Sequence, residues 1–555
     1  MKKIFIMAGL LIASMSASFA QKSDNHNFEI SKNLEIFNDI YKQLDLYYVD
    51  TLSADTVIGW AIDGMLQRVD PFTEYYPEDN MNELREMTTG KYAGVGAVIR
   101  YYKKEDRVIF VEPWEDSPAT DVGIKSGDVI LTIDGVDVKG KNVSDVSKML
   151  RGDAGTSFEL KVKRSGNPDP LVFKVTRRNI VMPPVPYYGM VGNQVGYIYF
   201  DRFTENCSRD VRRAIIDLKK QGAQSLILDM RGNAGGLLVE AVELVNMFVP
   251  KGQKVVYTKG KLSSVNSEYT TTKEPLDEKI PLAVLVDGMT ASSAEIVSGA
   301  LQDLDRAVII GMRTYGKGLV QVPREVPYHG SLKVTTSRYY IPSGRCIQAY
   351  DYRHLNADGS VGTVPDSLTK VFYTAGGREV RDGGGIKPDI VMQPDSLPAL
   401  VYDVAASDVA LEYVCNYVAA HPEIAPAGEF ALSDKDYEDF VNLVAKSDFT
   451  YKRRTEEVLK LLKKAAQFEG CYDEAKDEFE ALEQKMSGNV TADLMRFRKD
   501  LSEILENDIV SRYYFQKGAI KQQLRDDKFV EKALEVFSDE DYYYSILSVS
   551  RNEKK

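Results

Sequence analysis

The stretch "PLAVLVDGMTASSAEIVSGALQDL", residues 281–304, changes its periodicity halfway along. Leu282 to Val286 is an unbroken apolar run of strand length, and from Ala294 onward the apolar residues recur at helical spacing. A buried strand that turns straight into a helix is the building unit of an α/β fold, and such folds place chemistry at that junction. Ser292 sits there, and Glu295 three residues later spells a capping box. The same turn can also present a serine as a nucleophile, so a cap and a nucleophile are both open for Ser292.

Working outward, strand-like and helical segments alternate from 192 to 395. "QVGYIYFDRF", "AQSLILDM" and "RAVIIG" read as strands, and "SRDVRRAIIDLKKQG" and "GLLVEAVELVNMFV" as helices. This alternation predicts a mostly parallel sheet covered by helices. Residues 28–67 carry helical periodicity that ends at Asp70-Pro71, because proline disfavours helix in the residue before it. From Tyr92 to about Arg178 short strands alternate with turns, the pattern of a compact β-rich module. After Pro394 the chain reads as helical to its end, with packing within the molecule or contacts with partners as the expected role.

The chain has 555 residues and a formal net charge of -12, which argues against a general nucleic-acid binder because phosphate binding needs a cationic face. Lys2 and Lys3, the apolar run Ile4–Ala13, and Ser18 and Ala20 make residues 1–20 an expected signal peptide. Export to the periplasm or the extracellular space follows. No other stretch is long and apolar enough for an integral membrane protein. Cys207, Cys346, Cys415 and Cys471 lack paired metal-ligand spacing, so neither a metal site nor a cofactor is expected, and their disulfide status stays open. Amphipathic helical flanks on both sides of the core are compatible with a homo-oligomer.

Two further loops stand out. Asp229-Met230-Arg231-Gly232-Asn233-Ala234-Gly235-Gly236 follows one strand and precedes a helix, where glycines let backbone N–H groups approach a negative charge. It lacks the Gly-Lys-Ser/Thr ending of a phosphate loop. The turn at Ser292 carries no Gly-x-Ser-x-Gly elbow. Lys317 lies between Gly316 and Gly318, and Gln321, four residues on, falls on the same face of a strand or a helix. His329 is a rival base that nothing in the sequence brings near Ser292.

"DSPATDVGIKSGDVILTIDGVDV", with Gly123, Gly127 and the Asp134-Gly135 turn, resembles the core of a PDZ domain. That resemblance makes Gly94, Val95 and Gly96 its carboxylate-binding loop, with protein C-terminal tails as the partner. Five ordered motifs, at 70–73, 233–236, 290–295, 315–318 and 385–389, resemble the carboxyl-terminal processing peptidases, also called tail-specific proteases.

The resemblance implies an α/β fold with a crotonase/ClpP-like protease core, an inserted PDZ domain and helical N- and C-terminal regions. The expected domains are 21–85 helical, 86–178 PDZ, 179–395 protease core and 396–555 a helical extension. It makes Ser292 the nucleophile, Lys317 its general base and Gln321 the residue that orients the lysine. Backbone N–H groups of Ser293 and Gly235, with Gly236 as the alternative second donor, would form the oxyanion hole. Many relatives carry proline where this chain has Ala234, a change that relaxes the loop.

Lysine is protonated at neutral pH, with an ordinary pKa of about 10.4, so the base role requires burial to lower it. Glutamine orients such a lysine without adding the negative charge that would raise it again. A catalytically silent PDZ scaffold would require loss of Ser292, Lys317 or Gln321, and all three are present. A crotonase-like acyl-CoA enzyme fits poorly with a leader peptide and a PDZ module.

Overall fold

The computed structural model describes residues 26–548 apart from positions 357, 359, 395, 452 and 487. The expected signal peptide lies outside the described residues. The chain forms two compact units. The first takes the chain up to Tyr75 together with Pro323–Val334. It contains helices at 26–47 and Ala54–Gln67, the second capped by the Ser53 hydroxyl on Thr56 N–H. Asp70 then closes the turn, its carboxylate accepting from the N–H groups of Phe72 and Thr73, both at 2.8 Å.

The second unit, Tyr76–Val322 and Thr335 onward, holds everything else. Its β-rich module runs through strands Ala97–Tyr102, Arg107–Pro113, Val129–Ile133, Ser157–Lys163 and Leu171–Thr176, with the helix Val143–Leu150 beside them. Alternate residues point inward, so Val108, Phe110, Ile130, Phe158, Leu160 and Val162 share one core with Val146 and Leu150 of the helix. Ala97–Tyr102 is the terminal strand of that sheet, and among the described residues it pairs within the sheet with Arg107–Pro113 alone.

The α/β core is a six-stranded sheet in the order β1 (Tyr187–Val191), β2 (Val195–Tyr199), β3 (Ser225–Asp229), β4 (Leu282–Val286), β5 (Val308–Gly311) and β6 (Ile390–Val391). β1 and β2 are antiparallel, and every later pairing is parallel. Each residue of β3, β4 and β5 is buried, which is why they read as continuous apolar runs instead of alternating ones.

Alternate strand residues divide cleanly between two cores. Leu226, Leu228, Leu282, Val284, Val286 and Ile309 face α1 (Cys207–Lys220), α2 (Leu238–Val245) and α3 (Ser293–Asp303). Ile227, Ala283, Leu285, Val308 and Ile310 face the other way. There they meet Val530, Ala533 and Val536 of one late helix and Tyr543 of the next.

The C-terminal region therefore supplies the second helical layer of the sheet. Its helices relevant here are α4 (Asp408–Ala420), α5 (Arg498–Gln523, broken at Phe515), α6 (Lys528–Ser538) and α7 (Glu540–Ile546). Tyr543 reaches the middle of the sheet, where its hydroxyl accepts the N–H of Leu282 at 2.9 Å. α4 also meets the β-rich module. Leu411 packs with Tyr102, Ile109 and Val129. Arg100 donates to the carbonyls of Ala406 and Ser407 and to Asp408. The four cysteines are free thiols. Among the described residues no helix is long and apolar enough to cross a membrane.

Candidate active site

β3 and β4 end side by side, and the loops that leave them are the two singled out in the sequence. Ser292 is the residue just ahead of α3, with φ 56° and ψ -117°. Those angles are close to the first central position of a type II′ turn, a place that glycine usually fills. A side chain held there stores on the order of 1–3 kcal/mol of strain, and such outliers concentrate at functional sites. The strand-to-helix elbow that a Gly-x-Ser-x-Gly pattern would have announced is thus present without that pattern.

The capping relation with Glu295 is present in a modified form. Glu295 Oε2 accepts the Ser292 N–H at 2.8 Å, as a capping box requires. The same carboxylate reaches further. Oε2 also accepts the Lys317 N–H at 2.9 Å, and Oε1 accepts the Thr314 hydroxyl at 2.5 Å and the Gly316 N–H at 2.7 Å. Glu295 is fully buried, and burial pushes its carboxyl up to about 7 against the opposing pull of these four donors. Its spacing from Ser292 predicts a cap alone. Its signal was a carboxylate with no other charged residue between Ser292 and Gln302.

Tyr339 completes the frame from the other side. Its hydroxyl donates to the Lys317 carbonyl at 2.6 Å and lies 3.1 Å from the Ser292 carbonyl. Burial, reinforced by the Glu295 carboxylate, pushes that phenol well above its ordinary range, so it stays a donor. Lys317 and Ser292 are therefore tied to each other twice through their backbones, once by Glu295 and once by Tyr339.

Close packing explains the glycines around Lys317. A Cβ on Gly316, whose φ is 85°, would stand 2.3 Å from Ala349 Cβ, and one on Gly318 would stand 2.9 Å from the Gln348 backbone nitrogen. Gln348 Oε1 also accepts the Gly318 N–H at 2.8 Å. Gln321 lies on the strand Leu319–Val326, with its amide donating to the Thr335 hydroxyl at 3.0 Å.

The glycine loop after β3 is stitched to the serine turn at four points. Ala291 N–H donates to the Asn233 carbonyl at 2.9 Å, and the Thr290 hydroxyl to the Met230 carbonyl at 2.9 Å. Gly232 N–H donates to the Asp287 carboxylate at 3.1 Å, and the Ser293 hydroxyl to the Gly236 carbonyl at 2.8 Å. Thr290 and Ser293 thus take the local side-chain bonds of the turn. Gly235, at φ 92°, stands so close that a Cβ there would lie 2.8 Å from both Ser292 Cβ and the Ser293 nitrogen.

The candidate oxyanion donors differ in their availability. Gly235 N–H donates to Asn233 Oδ1 at 2.8 Å. Among the described residues the N–H groups of Ser293 and Gly236 have no acceptor. Asn233 is fully buried and also donates to the Phe200 carbonyl at 2.8 Å, so it sets the loop from inside.

In the β-rich module, Val95 is buried and Gly96 has φ 71°. A Cβ on Gly96 would fall 2.5 Å from Ser117 Cβ. Gly94 ends the strand Lys91–Gly94 and Ala97 begins the next, so Val95 and Gly96 form the turn between two strands. Beside them the Tyr92 hydroxyl is pushed up to about 12 by burial, with Arg151 stacked over its ring at 4.7 Å. His329 lies in the turn between Leu319–Val326 and Gly330–Tyr340. Among the described residues no group of side chains has the composition of a metal site.

Residues 194–367 match Peptidase family S41, residues 110–164 a PDZ domain, and residues 400–537 the C-terminal helical domain of probable PDZ-proteases. The chain is 34% identical over 374 residues to a carboxy-terminal-processing protease of Bartonella bacilliformis, covering 66% of this chain and 82% of that one. It is 29% identical over 464 residues to a probable CtpA-like serine protease of Staphylococcus haemolyticus, covering 83% and 91%. Among solved structures, the photosystem II D1 C-terminal processing protease is 28% identical, with a TM-score of 0.35, over 65% of this chain and 88% of that one. With its serine turn, its glycine loop and a PDZ domain ahead of them, the chain belongs to peptidase family S41, the carboxyl-terminal processing proteases.

Proposed function

We propose that the protein is an exported endopeptidase that captures the C-terminal tails of other proteins on its PDZ domain and cleaves them with Ser292 and Lys317. The observation that carries this reading is the strained turn at Ser292, whose N–H shares one Glu295 oxygen with the Lys317 N–H. Strain at a serine beside an unoccupied pair of backbone donors supports a nucleophile more than a helix cap.

In this mechanism Lys317, uncharged, takes the Ser292 hydroxyl proton as the oxygen bonds to the scissile carbonyl carbon. The carbonyl oxygen becomes an oxyanion facing the N–H groups of Ser293 and Gly236, with Gly235 available once Asn233 releases it. Collapse of this intermediate breaks the C–N bond, and Lys317 returns the proton to the leaving amine. Water, deprotonated by the same lysine, then adds to the acyl-Ser292 ester; the C–O bond to Ser292 breaks and the lysine returns that proton to the Ser292 oxygen. Gln321 orients the lysine without adding charge.

The edge strand Ala97–Tyr102 supports tail binding, since an extended peptide can add to it while the Gly94-Val95-Gly96 turn receives its carboxylate. The test is to incubate the mature protein with an unfolded reporter of varied C-terminal residues and map the products by mass. Ser292→Ala is expected to abolish cleavage and leave tail binding intact. Cleavage retained by Ser292→Ala would rule the reading out.

A further inference from the structure

Arg231 lies near the start of the loop carrying the oxyanion donors, and no step above uses its side chain. Its guanidinium bridges two carboxylates. Nε and Nη2 hold Asp229 at 3.0 and 2.5 Å, while Nη1 and Nη2 hold Asp527 at 3.2 and 2.6 Å. Asp229 is the last residue of β3, fully buried, and accepts the Tyr197 hydroxyl at 2.7 Å. Asp527 comes from the opposite end of the sequence, nearly three hundred residues on, and is the N-cap of α6, where it accepts the N–H groups of Phe529 and Val530. The Phe529 ring lies under the guanidinium at 5.1 Å. Burial opposes the charge on Arg231, but Asp229 and then Asp527 overturn that and hold it firmly cationic.

We infer that Arg231 is a positioning residue through which the C-terminal helical region sets the oxyanion loop. The inference rests on the peptidase reading above. Gly232, Gly235 and Gly236 have φ of 75°, 92° and 144°, conformations that glycine reaches freely and leaves as freely. Such a segment keeps one shape only if its ends are fixed. Asn233, Asp287 and Ser293 fix its middle and far end, and Arg231 fixes its start. Arg231 backbone N–H also donates to Asp229 Oδ1 at 3.0 Å, so the side chain and the main chain of this residue are anchored on the same carboxylate. Asp527 keeps the guanidinium in that plane only while α6 lies on the sheet. Catalysis therefore depends on α6 being docked, although no residue of α6 is in the reacting group.

Asp527 has two separable roles, as helix cap and as anion, and asparagine keeps the first while losing the second. The test compares Asp527→Asn, Arg231→Met and their double variant in the full chain, on a tailed reporter peptide, with Ser292→Ala alongside. Asp527→Asn is expected to lower kcat on the order of tenfold with KM within about twofold and the thermal midpoint nearly unchanged. The double variant should lose no more than Arg231→Met alone, because both changes break one link. A kcat for Asp527→Asn equal to that of the parent, or fully additive losses in the double variant, overturns the inference while leaving the peptidase reading in place. Cleavage retained by Ser292→Ala overturns both.

Discussion

Ser292 and Lys317 donate their backbone N–H groups to the same oxygen, Glu295 Oε2, at 2.8 and 2.9 Å. One buried carboxylate therefore sets the register between the turn that carries the serine and the loop that carries the lysine. The second oxygen of Glu295 holds Thr314 and Gly316 of that same loop. A carboxylate suits this task because it accepts on both oxygens and donates on neither.

Glu295→Gln offers one oxygen and one NH2 group to four donors, so two donors lose their acceptor in a buried site. Each such loss costs about 1–3 kcal/mol. The expected outcome is a fall in unfolding free energy of about 2–5 kcal/mol together with a fall in kcat on the order of 10²-fold. Denaturant unfolding and steady-state cleavage measure the two separately.

The same residue makes stability depend on pH. Burial raises its carboxyl from the ordinary 4.5 to about 7, so the fold favours the protonated form. Its contribution is fully present below about 4.5 and is lost as pH rises through 7. Across that window the parent should lose up to about 3 kcal/mol relative to Glu295→Gln. Activity should run the opposite way and rise through 7, because only the ionised group accepts all four donors. A stability difference between the two proteins that stays flat from pH 4 to pH 8 would contradict this.

Tyr339→Phe keeps the buried ring and removes the hydroxyl that reaches the carbonyls of Lys317 and Ser292. Loss of about 1 kcal/mol of stability and a kcat lowered roughly tenfold are expected, with tail affinity unchanged. A kcat equal to that of the parent would show that Glu295 alone holds the two loops.

Gly96→Ala tests the PDZ turn apart from the chemistry. Its φ of 71° and the 2.5 Å approach to Ser117 Cβ forbid a side chain without movement of the loop. Affinity for a C-terminal tail peptide should fall at least tenfold by titration, while a short peptide too small to span both domains is cleaved at the parental rate.

Much of this architecture was legible in the sequence, and the exceptions share a physical cause. Leu282–Val286 and Ser225–Asp229 read as buried strands because helices cover both faces, which removes the alternation of a one-sided sheet. Which helices cover the second face was not legible. Val530, Ala533 and Val536 lie more than two hundred residues from the strands they meet, and local periodicity reports that a helix has an apolar face without naming its partner. Ser292 and Glu295 were legible as a pair through their spacing. The reach of Glu295 to Thr314, Gly316 and Lys317 was not, because those bonds depend on how two loops meet. Gly235 stood out as a glycine near a helix start, yet the Asn233 side chain that occupies its N–H could be seen only once the loop was folded.

The central claim is that Ser292 is the nucleophile and Lys317 its base. The most direct measurement is the rate and position of labelling by an organophosphorus fluoridate, read by intact mass and peptide mapping in the parent and in Lys317→Ala. The account predicts one adduct, on the peptide that contains Ser292, formed at least 10²-fold more slowly in Lys317→Ala. An adduct on another residue, or an undiminished rate in Lys317→Ala, would contradict it.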